Sequence, residues 1–304
     1  MVTRDDVLRA RAAIADRLPR TPTLYSHELG AYLKCELFQR TGSFKARGAV
    51  NKITALTPDE RRRGVIAISA GNHAQAVAYV AAQEGVDALL VMWRGASEHK
   101  IAATRRYGAA VDLHANDPAQ AFDRLHELIE ETGRTLIHPF DDPLVCAGQG
   151  TVGLEIEEDT PDADAVIVAV GGGGLITGIA AAIGEHMRVI AVEPERSRAL
   201  HAALDAGEPV PVRPESVADG LNAPFAGHLA VDACRDLERV LVSEEEIKDA
   251  FRFLYVRTKL AVEPAGAAAA AALLANKIET ENCVVVVSGG NVSPEIASGI
   301  LACR

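Results

Sequence analysis

The stretch that decides the fold runs from Asp164 to Ile183, DAVIVAVGGGGLITGIAAAI. Its apolar run reads as a strand buried on both faces. Gly171, Gly172, Gly173 and Gly174 turn the chain, and LITGIAAAI then opens a helix. Consecutive glycines cost conformational entropy, so a close backbone approach must require them. N–H groups at the positive end of a helix make an anion the natural candidate. A tight turn is the plainer reading of this segment. A dinucleotide site is a third, because Glu193 ends the next strand where a ribose partner would stand, although Gly178 comes one residue late for G-x-G-x-x-G.

The same strand–turn–helix grammar recurs outward from this segment. Tyr32 to Phe38 reads as a strand, followed by a Thr-Gly-Ser turn and a helix over Phe44 to Ile53. VIAIS (Val65 to Ser69), DALLVMW and VDLHA read as strands separated by the helices HAQAVAYVAAQEG and HKIAATRRYGA. PAQAFDRLHELIEETG and TLIHPF close that series. Later come RVIAVE, the helix EEEIKDAFRFLYVRTKL with Glu244 to Glu246 in its first turn, an Ala-rich helix from Gly266 to Ala275, and NCVVVVSG. Pro194 to Leu241 reads as irregular and Pro-rich. Strands alternating with helices predict an α/β fold of two doubly wound, open, parallel sheets. The expected division is a small domain over residues 56–140 and a large one from 1–55 and 141–304. A ligand belongs between them, at the carboxyl ends of strands.

Composition narrows the function. The 304 residues carry a formal charge of −11, which argues against a nucleic-acid or anionic-membrane partner, since either needs a basic face. The apolar runs fall short of a membrane span. The start, MVTRDDVLRARAAIADRL, has the pattern of a charged amphipathic helix and not of a signal peptide. Cys35, Cys146, Cys234, Cys283 and Cys303 form no C-x-x-C, which reads as reduced thiols in a cytoplasmic enzyme.

Three more strand ends carry chemistry. In Ser43-Phe44-Lys45-Ala46-Arg47-Gly48 the lysine would ordinarily be solvated. It is, however, one of only seven lysines against twenty-four arginines, and it sits in a turn at the carboxyl edge of a sheet. A partly buried lysine of lowered pKa forms Schiff bases. Ser69-Ala70-Gly71-Asn72-His73 offers N–H groups and a hydroxyl to a carboxylate, and an amide to a phenolic oxygen; helix capping is the plainer reading. Ser288-Gly289-Gly290-Asn291 either caps a helix or presents a hydroxyl to a ligand.

Taken in order, KCELFQRTGSFKARGA, SAGNHAQAVA, QGTVGLEI, GGGGLITGIAAA, VADGL, VEPAGAAA and VVVVSGGN resemble the fold type II pyridoxal-phosphate enzymes, whose fold is that of tryptophan synthase β. The likeness covers nearly the whole chain and points to the serine/threonine dehydratase (ammonia-lyase) and serine racemase branch. It implies pyridoxal 5′-phosphate as cofactor, with Lys45 as the catalytic residue that holds it as a Schiff base and moves protons. It further implies cofactor contacts from Phe44, Asn72, Gly171, Gly172, Gly173, Gly174, Leu175, Glu263 and Ser288. Ser69, Ala70, Gly71, Asn72, His73 and Gly220 would meet the substrate. The implied reaction is α,β-elimination from a β-hydroxy-amino acid, L-threonine or L-serine by default, by a homodimer. An NAD-binding oxidoreductase is the reading from another class, and it gives Ser-Phe-Lys and Ser-Gly-Gly-Asn no role. A weak relative that only binds the cofactor is a third.

Departures from the family pattern take sides. Cysteine-synthase relatives carry Asp after the lysine and Thr-Ser-Gly-Asn in the loop, where this chain has Ala46 and Ser69-Ala70-Gly71-Asn72. Serine racemases place a second serine at Ala70, and a methyl group cannot deliver a proton to the opposite face of Cα. A dehydratase is therefore expected, with serine racemase or a 3-hydroxyaspartate or phenylserine dehydratase as alternatives. The cation site of metal-dependent relatives pairs a residue like Glu193 with an acid or amide where this chain has Ala199, so no metal is expected and Glu193 reads as structural. No isoleucine-binding regulatory module is expected. Trp93 and His99 read as a surface loop, and Arg40 as a solvated arginine.

Overall fold

The computed structural model describes residues 1–96, 98–184 and 186–302, without the side chains of His99, Pro118 and Ala119. Cys303 and the side chain of His99 thus lie outside the described residues. Among these, the strands are β1 (Thr23–Ser26), β2 (Ala31–Cys35), β3 (Val65–Ile68), β4 (Ala88–Trp93), β5 (Ala110–Ala115), β6 (Thr135–Leu136), β7 (Ala165–Ala169), β8 (Arg188–Pro194), β9 (Glu238–Val242) and β10 (Cys283–Val287). They form a six-stranded sheet, β1-β2-β10-β7-β8-β9, and a four-stranded one, β5-β4-β3-β6. Every pair is parallel except the β1–β2 hairpin. β7 and β10 are buried at every position, as their unbroken Val/Ile/Ala runs require of central strands covered on both faces.

Helices pack on these sheets through small residues. The Pro143–Asp159 helix is buried continuously from Val145 to Ile156. It crosses the Lys45–Thr54 helix at Gly48 and Gly148, and the Gly174–Ala182 helix at Gly150 and Gly178. A Cβ on Gly148 would stand 2.8 Å from Gly48 Cα, and one on Gly178 would stand 2.5 Å from Gly150 N. The Lys45–Thr54 helix turns Ala46, Ala49, Val50 and Ile53 into the core of the four-stranded sheet, so this helix belongs to the packing of both halves.

Beneath Lys45 lies a buried ion network. Arg47 binds Glu36 through Nε and Nη2, both at 2.8 Å, and Glu155 at 2.7 and 2.9 Å. Lys34 continues it to Glu155 at 2.8 Å and Asp159 at 3.2 Å. The planar guanidinium satisfies two carboxylates at once, which ties the lysine-bearing helix to the turn after β2 and to the Pro143–Asp159 helix.

The structure corrects several local expectations. Pro194–Leu241 is not irregular throughout: it contains the helices Ala199–Ala206 and His228–Ala233 and enters β9. Tyr32 to Phe38 is only partly strand, since Glu36–Phe38 closes into a 3₁₀ turn. Trp93 ends β4 and packs half-buried on the small-sheet core, not in a surface loop. Arg40 is exposed, and Glu244–Glu246 open the Glu244–Val256 helix behind the Ser243 capping box, as expected.

Candidate active site

Four strand ends converge at the carboxyl edges of the two sheets. After β2 the chain passes through the turn at Thr41 and Gly42, both with positive φ, and Phe44 leads into the helix that begins at Lys45. Ser43 bridges Gly289, and Phe44 N donates to Ser288 O at 3.2 Å, so the lysine-bearing turn is clamped to the end of β10. Lys45 is half-buried; its Nζ donates to Pro139 O at 2.7 Å and lies 5.1 Å from the centre of the Phe44 ring. Burial holds its amine down, at about 8.

The segment that receives Lys45 also reaches the glycines. Phe140, next to Pro139, lays its ring on Gly172, where an added Cβ would overlap it. Gly173 has φ +94, and a Cβ there would run into Ala230. Gly171 packs on the backbone of Leu221. The backbone N–H groups of residues 171–176 have no protein acceptor among the described residues. Six successive unpaired donors at the start of the Gly174–Ala182 helix make an anion-binding nest.

On the other side of the cleft, β3 ends in the half-buried loop Ser69-Ala70-Gly71, in which Ser69 Oγ accepts from Gly71 N at 3.1 Å. Asn72 opens the Asn72–Gln83 helix and donates through Nδ2 to Glu263 Oε1 at 2.6 Å. Asn291 Nδ2 donates to Asn72 Oδ1 at 2.9 Å and to Thr41 O at 2.7 Å. Glu263 is buried, and desolvation together with the negative charge of Asp219 pushes its carboxyl up to about 7. Gly220 lies in the Asp219–Leu221 turn against Ala265. Lys100 pairs with Asp219, and both line a cavity of about 50 Å³ with Glu263 and Asn291.

Two expected site residues take particular places. The His73 ring is buried, its Nε2 2.8 Å from Ile137 O, and desolvation followed by the charge of Lys45 pushes its pKa down to about 3. This neutral ring fixes the helix to the 137–140 segment, leaving the backbone of the loop to face the cleft. Ser288 is buried at the end of β10, and its hydroxyl has no protein partner among the described residues. Glu193 accepts from Leu200 N at 2.7 Å and from His201 N at 2.9 Å, with His201 Nδ1 at 2.5 Å, so it caps the Ala199–Ala206 helix. Asn291, Lys100, Asp219 and Gln149 also belong to this neighbourhood. Asn291, Gln149 and Asp219 stand inside motifs already quoted, whereas nothing local marks Lys100.

These features fit one cofactor: a poised lysine for an aldehyde, a nest for a phosphate, and an unpartnered hydroxyl and an amide for the ring between them. The pyridoxal-phosphate dependent enzyme family model matches residues 14–289. The chain belongs to this family. Its cofactor is pyridoxal 5′-phosphate. The enzyme is 43% identical to the catabolic L-threonine dehydratase TdcB of Escherichia coli K12, over 95% of this chain and 92% of that one. It is 42% identical to the L-threonine ammonia-lyase of Thermotoga maritima, over 99% of this chain and 78% of that one. Among solved structures, maize serine racemase superposes with a TM-score of 0.93 at 35% identity, covering 97% of this chain and 95% of that one. Its fold is thus the fold type II architecture expected above.

Proposed function

We propose that the enzyme removes water from L-threonine or L-serine and releases a 2-oxo acid and ammonia, with Lys45 as its catalytic residue. It is a pyridoxal-phosphate-dependent carbon–oxygen lyase of the dehydratase type. The observation that carries the assignment of Lys45 is its amine hydrogen-bonded to the same short segment, Pro139-Phe140, that packs on the glycine nest. When bound, pyridoxal phosphate withdraws electrons from Cα of an attached amino acid and acidifies its proton.

The side chains divide the remaining work. Burial lowers the Lys45 amine to about 8, so far more of it is neutral near neutral pH than of an ordinary lysine. In its neutral form this amine would hold the cofactor aldehyde and would accept the Cα proton. Gly171, Gly172, Gly173, Gly174 and Leu175 hold the phosphate through their N–H groups. Phe44 and Asn72 orient the ring, Asn72 at its phenolic oxygen, and Glu263 sits beside it. Ser288 would meet the pyridine nitrogen with a hydroxyl, a neutral partner that does not hold a proton there as a carboxylate would. Ser69, Ala70, Gly71, Asn72 and His73 form the loop that grips the substrate carboxylate, with Gly220 nearby.

No metal ligand is assigned, because Glu193 is committed to the Ala199–Ala206 helix. Residues 1–55 and 141–304 form the cofactor domain and 56–140 the substrate-loop domain of a cytoplasmic homodimer. Among the described residues, no helix is long and apolar enough to cross a membrane. Serine racemisation is the second reading, favoured by the likeness to maize serine racemase; Ala70 leaves no proton donor on the second face.

The test is 2-oxo-acid release from a panel of β-hydroxy-amino acids, with Lys45→Ala in parallel and chiral analysis of serine. Release that depends on Lys45, without D-serine, is expected. Turnover by Lys45→Ala at the wild-type rate would refute the assignment of the catalytic residue, and D-serine as the main product would refute the elimination.

A further inference from the structure

One polar side chain stands in the wrong surroundings unless it has a task. Gln149 lies in the middle of the Pro143–Asp159 helix, between Gly148 and Gly150, with no exposed surface at all. Among the described residues, neither its Oε1 nor its Nε2 has a hydrogen-bond partner. A buried amide without partners is costly, and an isosteric apolar side chain would remove the cost. Both atoms lie against glycines of the two neighbouring helices. Oε1 lies 2.9 Å from the point where a Cβ of Gly174 would be, at the first residue of the nest helix. Nε2 lies 3.2 Å from the corresponding point of Gly48, one turn beyond Lys45 on its helix.

We infer that Gln149 is a phosphate-end ligand, whose amide completes the nest formed by the N–H groups of residues 171–176. Half a turn about its last side-chain torsion exchanges Oε1 and Nε2 and points two N–H donors past Gly174 toward an anion. The two glycines that flank the amide explain why it reaches both elements: any side chain at Gly48 or Gly174 would stand in its way. Without the phosphate the amide is an unpaired group between three helices. With the phosphate seated it becomes a charge-assisted donor to the anion. This inference rests on the seating of the phosphate at Gly171–Leu175 proposed above.

The experiment uses Gln149→Leu and Gln149→Glu, with the affinity of the apoenzyme measured by absorbance titration for pyridoxal phosphate and for pyridoxal, which lacks the phosphate. Leu should weaken pyridoxal phosphate about tenfold and Glu about a hundredfold, the span expected for a hydrogen bond to a charged group and for a carboxylate facing one. Neither variant should change the affinity for pyridoxal. The apoenzyme should gain thermal stability with Leu, which removes an unpaired amide, while the gain in Tm on adding pyridoxal phosphate shrinks. Wild-type affinity for pyridoxal phosphate in both variants would overturn the inference, as would an equal loss for both ligands. A wild-type enzyme that binds pyridoxal as tightly as pyridoxal phosphate would instead remove the seat at Gly171–Leu175 on which the inference stands.

Discussion

Replacing Glu263 by Gln should make the enzyme more stable in alkaline solution and leave it unchanged in acid. Glu263 is buried against Asn72, and burial with the nearby Asp219 raises its carboxyl from 4.5 to about 7. The unfolded chain loses this proton near pH 4.5 and the folded one only near 7, so the folded state binds more protons between the two values. Stability contributed by the neutral acid is therefore present at low pH and lost as pH rises through this window. The full loss, above pH 7, is about 3 kcal/mol. Gln is uncharged at every pH and keeps the oxygen to which Asn72 Nδ2 donates. Urea unfolding of the apoenzyme from pH 4.5 to 8.5 should show variant and wild type together at the acid end. They should separate to about 3 kcal/mol at the alkaline end. A constant difference across the range would refute the reasoning, because it would place the ionisation of Glu263 outside the window.

Four further outcomes follow from the same packing. Lys45→Met should abolish turnover yet stabilise the apoenzyme by about 1–2 kcal/mol at pH 7, with the gain fading between pH 8 and 10.5 as the wild-type amine loses its proton in the unfolded chain too. Calorimetry at two pH values checks it, and a gain that persists above pH 10.5 would contradict it. Arg47→Met should cost about 3–5 kcal/mol in urea unfolding, since Glu36 and Glu155 would stay buried without their partner. Gly178→Ala should cost about 3 kcal/mol or more and weaken cofactor binding, because its Cβ meets the backbone of Gly150 on a helix that begins at the nest. Dialysis against a chelator should leave activity intact, and a large loss restored by Mg²⁺ would reopen the role of Glu193.

The sequence made the strand ends legible and the scaffold between them less so. β7, β10 and the glycines announce themselves through long apolar runs that stop at small residues, and the same holds for VIAIS ahead of Ser69. The Pro143–Asp159 helix was harder to read. Buried on every side, it carries no polar stripe, and its glycines argue locally against a helix. β9 was missed because its residues Glu238 and Arg239 are exposed on an edge strand, so the apolar pattern is half erased. In the site, Lys45 and Asn72 stand inside recognisable turns, whereas Lys100 and Asp219 meet only through tertiary packing across 119 residues.

The position of β10 in the large sheet sets the order in which the molecule can be completed. This strand, Cys283–Val287, lies between β2 and β7, so the middle of the sheet arrives after both its neighbours have been synthesised. The strands of the small sheet all lie between residues 65 and 136 and can pair while the ribosome is still at work. Until β10 emerges, β2 and β7 each present an unpaired, apolar edge, the kind of template on which nascent chains aggregate. Maturation of the site thus waits for the synthesis of β10: the turn before Lys45 has no Ser288 carbonyl to anchor it until then. A chain released before residue 283 would carry Lys45 and the glycine nest without the β10 carbonyl that clamps the lysine-bearing turn.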